Sequence, residues 1–325
     1  MPRLIETDET AACSLAELVD ALATERPDPR DEDAFAAFAP RLRRLANNRA
    51  FLADAILGEL AGRTRGQAAS GYGAQVITLH AGHGFLVRAN CWPEAAHSLV
   101  RSNGARTFFY DVPHDHNFSF LTVGYSGPGY WSDHYEYDHE EVAGAAGEAV
   151  RLRALGRSRL ERGATHLYRA HRDIHRQLPP DAFSVSLNIV ESSLAAPFRD
   201  QYLFDVEGGR IAGLANPLPV ASLLPLLAHL DTEEGRDLLH SFAASHPSDR
   251  VRCAALGALA RAQGDDAASE RILEGGARSS SLLVRRRAAE HLARLRRTSA
   301  WRARQSNRAV HKSSEQQHDI SINSN

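Results

Sequence analysis

Apolar positions follow different periods in successive parts of the chain. Over the first 65 residues they recur every three or four positions, with Leu15, Leu18 and Leu22 forming one stripe in SLAELVDALATE. The runs DEDAFAAFAPRLRRLANN and RAFLADAILGELAGR carry the same spacing, which predicts amphipathic helices. Ser14 followed by Glu17 is a capping-box pair, Pro27 and Pro29 end the first helix, and acidic residues open the second. Two or three helices are expected over residues 1–66, as a cap or dimerisation arm. From about residue 70 the period shortens. AQVITLH, GFLVRAN, RTFFYDV, FSFLTVGY, YWSDHYEY, AVRLRAL, THLYRA, AFSVSLNIV and QYLFDV read as short strands separated by Gly, Pro, Asn and Asp. Many strands without an intervening long helix predict a sandwich or closed barrel over residues 67–215.

Beyond Pro217 the helical period returns with an internal repeat. VRCAALGALAR at 251–261 and VRRRAAEHLAR at 284–294 match at an offset of 33 residues, and VASLLPLLAHL reads as a degenerate earlier copy. That is the spacing of stacked helix pairs, so residues 216–297 are expected to form a small helical domain leaning on the barrel. Residues 298–325 have no apolar period and read as a basic and polar disordered tail.

Composition narrows the classes. The 325 residues carry a formal charge of −2 and are 43% hydrophobic, which excludes global disorder. No apolar run approaches the ~20 residues of a membrane helix, and MPRLIETDET lacks the design of a signal peptide, so a soluble, cytoplasmic protein is expected. Cys13, Cys91 and Cys253 are scattered and odd in number, which argues against a disulfide framework or a cysteine zinc site. Lys312 is the only lysine among 38 basic residues, a bias typical of GC-rich bacterial genomes. Residues 285–312 hold ten basic side chains against Glu290 alone; this run reads as a solvated helix end, and nucleic acid is not expected as a partner.

The candidate chemistry centres on Pro113-His114-Asp115-His116-Asn117, between two expected strands. In an extended chain residues i and i+2 face the same way, so His114 and His116 project two imidazoles into one space and Asp115 turns away. The same parity turns Phe118, Phe120 and Thr122 inward, walling a metal site with apolar rings. A third ligand is expected from LERGATHLYRAHRDIHRQL, where His171 and His175 compete, while His134 lies on a strand expected beside the HxH strand. No nucleophile-elbow, zincin or phosphate-loop motif occurs.

An HxH on one strand, then a glycine turn, a strand and a further histidine, resembles the cupin superfamily of small β-barrels over about residues 70–205. Carried over, the resemblance places metal ligands at His114, His116 and His175, with Gly163 as the turn glycine. Leu121 stands where many cupins place a glutamate, so the closest likeness is to the all-histidine branch typified by cysteine dioxygenases. Their Ser-x-His-x-Tyr relay is replaced here by Ser186, Asn188 and Val190, which argues against cysteine itself as substrate. The C-terminal repeat resembles HEAT-like helices.

The expected fold class is thus multidomain α+β: a central cupin-type antiparallel β-barrel flanked by an N-terminal helical segment and C-terminal HEAT-like helices. Three neutral imidazoles leave a divalent iron its charge and adjacent open positions, which suits an anionic substrate together with dioxygen. The expected function is an Fe(II)-dependent oxygenase of dioxygenase type, with O2 as co-substrate, acting on a small amino-acid-like or carboxylate-bearing metabolite. Tyr110, Arg172, Ser186 and Asn188 are the substrate-side candidates by their nearness to the motifs. Two alternatives stand beside it: a Zn- or Mn-dependent isomerase, lyase or hydrolase, and a non-catalytic ligand sensor whose helical repeats bind a protein partner. No membrane partner is expected, and a homodimer is the default oligomer.

Overall fold

The computed structural model describes residues 1–61, 75–193, 196–216, 218 and 220–301; the expected disordered tail lies almost wholly outside them, as does the end of the basic run. The chain divides into two compact units, Met1–Asn216 and Pro217–Asn325.

The first unit runs β1 (Arg3–Ile5), α1 (Leu15–Glu25), α2 (Glu32–Ala36), α3 (Ala39–Asn47), α4 (Phe51–Ala61), β2 (Val76–Gly82), β3 (Phe85–Trp92) and α5 (Ser98–Asn103). It continues with β4 (Phe120–Ser126), β5 (Trp131–Glu136), β6 (Arg153–Arg159), β7 (Thr165–Tyr168), β8 (Asp173–Leu178), β9 (Ser184–Glu191), β10 (Tyr202–Asp205) and β11 (Arg210–Leu214). The capping box at Ser14 and Glu17 forms with both of its hydrogen bonds. The second helical run breaks in two because Pro40 lacks the N–H that a helix interior needs; it sits in the first turn of α3 instead.

RTFFYDV is not a strand. Ala105–Phe108 form a 3₁₀ turn after Gly104, and Phe109 and Asp111 take left-handed backbone conformations that a pleated strand cannot hold. DIHRQL, by contrast, forms β8.

The strands make a six-stranded antiparallel sheet in the order β1-β7-β4-β9-β3-β2 and a three-stranded sheet β6-β5-β8, with β10-β11 as a hairpin. Isolated bridges from His114 to His175 and to Leu203 stitch the segment before β4 between β8 and β10. The two faces of the large sheet differ in kind. Val87, Ala89, Leu121, Val123, Leu167, Leu187 and Ile189 pack outward against Leu18, Leu22, Phe35, Leu42 and Leu45 of the helices, so α1–α4 form the second layer of the hydrophobic core. Each fully buried Val, Leu, Ile or Phe among them contributes roughly 1.5–3 kcal/mol. The opposite face presents Arg88, Asn90, Thr122, His166, Ser186 and Asn188, all buried. The N-terminal helices thus carry the apolar burial and leave the inward face free for polar chemistry.

The second unit holds α6 (Val220–Leu230), α7 (Glu233–Ser245), α8 (Asp249–Arg261) and α9 (Asp266–Gly276), followed by helix over 282–301. The repeat copies bury equivalent positions: Val251, Ala255 and Leu259 in α8 match buried Val284, Ala288 and Leu292. The caps repeat as well, with Ser248 Oγ accepting from Val251 N–H and Ser281 Oγ from Val284 N–H. Among the described residues no helix is long and apolar enough to cross a membrane.

Candidate metal centre

His114, His116 and His175 converge on one point, the only such group of three potential ligands among the described residues. Sequence parity brings the first two together, and topology supplies the third. His114 exchanges backbone hydrogen bonds with His175, N–H to O at 3.1 and 3.0 Å, so the segment before β4 lies against β8 as an added strand. The Nε2 atoms of His116 and His175 stand 3.0 Å apart, and those of His175 and His114 3.2 Å. Two imidazole nitrogens bound at right angles to one divalent ion at about 2.1 Å would be about 3.0 Å apart. One N–H on His175 would at best be split between two acceptors, whereas a cation can take all three lone pairs. The donor set therefore fits a single divalent metal.

The surroundings keep those lone pairs available. All three rings are buried, and burial pushes His114 down to about 4 and the other two well below the usual histidine range, so they are neutral at neutral pH. His114 Nδ1–H donates to Val112 O at 2.7 Å, which leaves its Nε2 as the bare, site-facing nitrogen. The Gln177 amide nitrogen lies 3.0 Å from His175 Nε2 and borders the site, and that of Gln201 is 3.4 Å from His116 Nδ1. Phe118 and Phe120 pack on His116 and Tyr168 on His175, with ring centroids 4.8, 4.8 and 4.7 Å away, shielding the site from solvent.

The competitors fall elsewhere. His171 sits in a left-handed turn before β8; its backbone N–H donates to His116 O, but its ring packs at a tilt against His139 with centroids 4.2 Å apart. His134 is paired with His175 in the β5–β8 register, yet its Nε2 bonds Ser158 Oγ at 2.8 Å. Asp115 turns away and anchors the motif, accepting from Tyr137 O–H at 2.7 Å and Tyr202 N–H at 2.6 Å. Of the substrate-side candidates, Asn188 and Ser186 face inward. Thr122 O–H donates to Asn188 Oδ1 at 2.6 Å, and Trp92 Nε1–H donates to Ser186 Oγ at 2.9 Å. Tyr110 donates its hydroxyl to Pro93 O and packs its ring on Trp92 and Phe108. Arg172 is exposed, 3.8 Å from Glu136.

Arg88, Asn90 and His166 also face inward, and Arg88 carries the charge. Arg88 is 5% exposed, lies beside Asn188 in the β3–β9 register, and its charge helps hold the His116 imidazole neutral. Its signal was the alternation in VRAN, two polar residues at i and i+2 between small apolar ones, which marks a strand with a polar buried face.

No protein-family model matches the chain, and no curated protein matches it. Among solved structures it resembles a hydroquinone 1,2-dioxygenase, PnpCD, in complex with Cd2+ and 4-hydroxybenzonitrile, with 14% identity over 47% of this chain and 77% of that one, at a TM-score of 0.25. A hydroquinone 1,2-dioxygenase from Sphingomonas sp. TTNP3 shows 10% identity over 39% and 72%, at 0.24. The DMSP lyase DddQ from Ruegeria pomeroyi DSS-3 shows 15% identity over 59% and 79%, at 0.23.

Proposed function

We propose that this protein is a mononuclear metalloenzyme of the cupin type, with a divalent iron held by His114, His116 and His175, that oxidises a small carboxylate-bearing molecule with dioxygen. The observation that carries this reading is the convergence of three buried, neutral Nε2 donors in an interior that also holds the guanidinium of Arg88. An iron bound there would supply the one-electron chemistry that dioxygen requires. The protein's own part is positional. Val112 O and the Asp115 anchor orient the ligand strand, Phe118, Phe120 and Tyr168 exclude water, and Arg88 offers a charge to an anionic substrate. The 33-residue register of the C-terminal helices supports reading them as a HEAT-like module.

The test is metal analysis of anaerobically purified protein, wild type beside His114→Ala and His175→Ala, followed by oxygen uptake with small carboxylates. Near-stoichiometric iron in the wild type, lost in both variants, is the expected result. Zinc or manganese held by the same residues would move the chemistry to an isomerase, lyase or hydrolase. No metal after reconstitution would overturn the reading.

A further inference from the structure

The inward sheet face beside the three imidazoles is polar where a packed core would be apolar. On the six-stranded sheet Arg88, Asn188, Thr122 and His166 form one cross-strand row facing inward, with Asn90 one step along β3. His134 faces them from β5, and the rings of His134 and His166 flank Tyr168 with centroids 6.1 and 6.3 Å away. Asn90, His134 and His166 are 6, 1 and 4% exposed. Among the described residues Asn90 Oδ1, His134 Nδ1 and His166 Nδ1 each find no hydrogen-bond partner. A buried polar atom without a partner is destabilising, and apolar side chains would fill the same volume at no such cost. Two of them flank Tyr168 and the third lies on the same inward face of the large sheet, an arrangement that suits a hydrogen-bonding ligand.

Charge selects the kind of ligand. Asp173 is paired with Arg169, Glu191 with Arg199, and Asp115 is held by Tyr137 and Tyr202. With these buried carboxylates of the described residues engaged elsewhere, an ammonium group on this face would meet the positive charge of Arg88 and neutral rings. A hydroxyl suits it better, because it donates to Asn90 Oδ1 and serves a ring nitrogen in either role. We propose, resting on the metal-site reading above, that the substrate is a hydroxy acid rather than an amino acid, its carboxylate toward Arg88 and its hydroxyls toward Asn90, His134 and His166.

Calorimetric titration of metal-free and iron(II)-loaded protein, kept anaerobic, with butanoate, α-aminobutanoate and threonate (butanoate bearing three hydroxyls) tests this. Threonate is expected to bind at least about tenfold more tightly than the other two. Asn90→Leu and His166→Phe are each expected to bring threonate toward the butanoate level while metal content stays at the wild-type value. Equal or tighter binding of butanoate or α-aminobutanoate, no binding of any of the three, or variants that keep the threonate preference would overturn the proposal. If a variant does not fold, the wild-type series alone decides. Failure of the metal reading shows separately, as protein that takes up no metal, and the titration of the metal-free form still decides the hydroxyl preference.

Discussion

Replacing His166 with glutamine measures how completely the inner face is withdrawn from water. The His166 ring is 4% exposed, and burial pushes it down to about 4. In the unfolded chain it is solvated and titrates near 6.5. Between those two values the unfolded state binds a proton that the folded state refuses, so this contribution to stability is intact above about pH 6.5 and is lost as the pH falls toward 4. From about pH 7 to about pH 5 the folded ring stays neutral, and the loss depends only on the unfolded value, coming to about 2 kcal/mol. His166→Gln carries no titrating ring. It should therefore lose about 2 kcal/mol less than the wild type over the same interval, whatever the substitution costs at neutral pH. Urea unfolding of chelator-treated protein at the two pH values, followed by tryptophan fluorescence, to which buried Trp92 contributes, gives both numbers. A variant whose loss on acidification equals that of the wild type would refute the burial argument.

Arg88→Met should leave metal content unchanged and raise the Kd for butanoate by about 10- to 100-fold in calorimetry, the size of one charge-assisted hydrogen bond; an unchanged Kd would remove Arg88 from the anion site. Gly124→Ala should destabilise the first unit by about 3 kcal/mol or more, because the added methyl would stand 2.1 Å from the Glu161 carbonyl oxygen and only backbone can yield; thermal melting checks it. Val251→Ala and Val284→Ala, at matched buried positions, should each cost the second unit about 2 kcal/mol in chemical unfolding; a difference of more than about 2 kcal/mol between them would break the equivalence of the two copies.

Legibility in the sequence followed how local each feature is. The capping box at Ser14 and the strand VITLH depend on neighbours within a few residues, and both form as read. RTFFYDV misled because its aromatic residues favour strands, while the left-handed conformations at Phe109 and Asp111 leave no such mark in the chain. β8 carries no strand signal for the opposite reason: Asp173, His175 and Gln177 are buried polar residues, so the apolar-inward alternation is missing. The same inversion concealed Arg88 and Asn90, since a charged residue in a strand reads as solvent-facing unless something else already covers that face.

Backbone parity alone was enough to predict that His114 and His116 share a side and that Asp115 does not, because alternation of side chains is a property of any extended chain. Whether His171 or His175 joins them could not be read that way. The choice turns on where the turn before β8 ends, and that is set by the pairing of His175 with both His114 and His134 in separate strands. Likewise the periods of the chain dictated helices, then strands, then helices, but not that the N-terminal helices would cover the outer face of the large sheet. That packing decides which face of each strand is dry core and which is polar site, because one sheet can give its apolar side to only one layer.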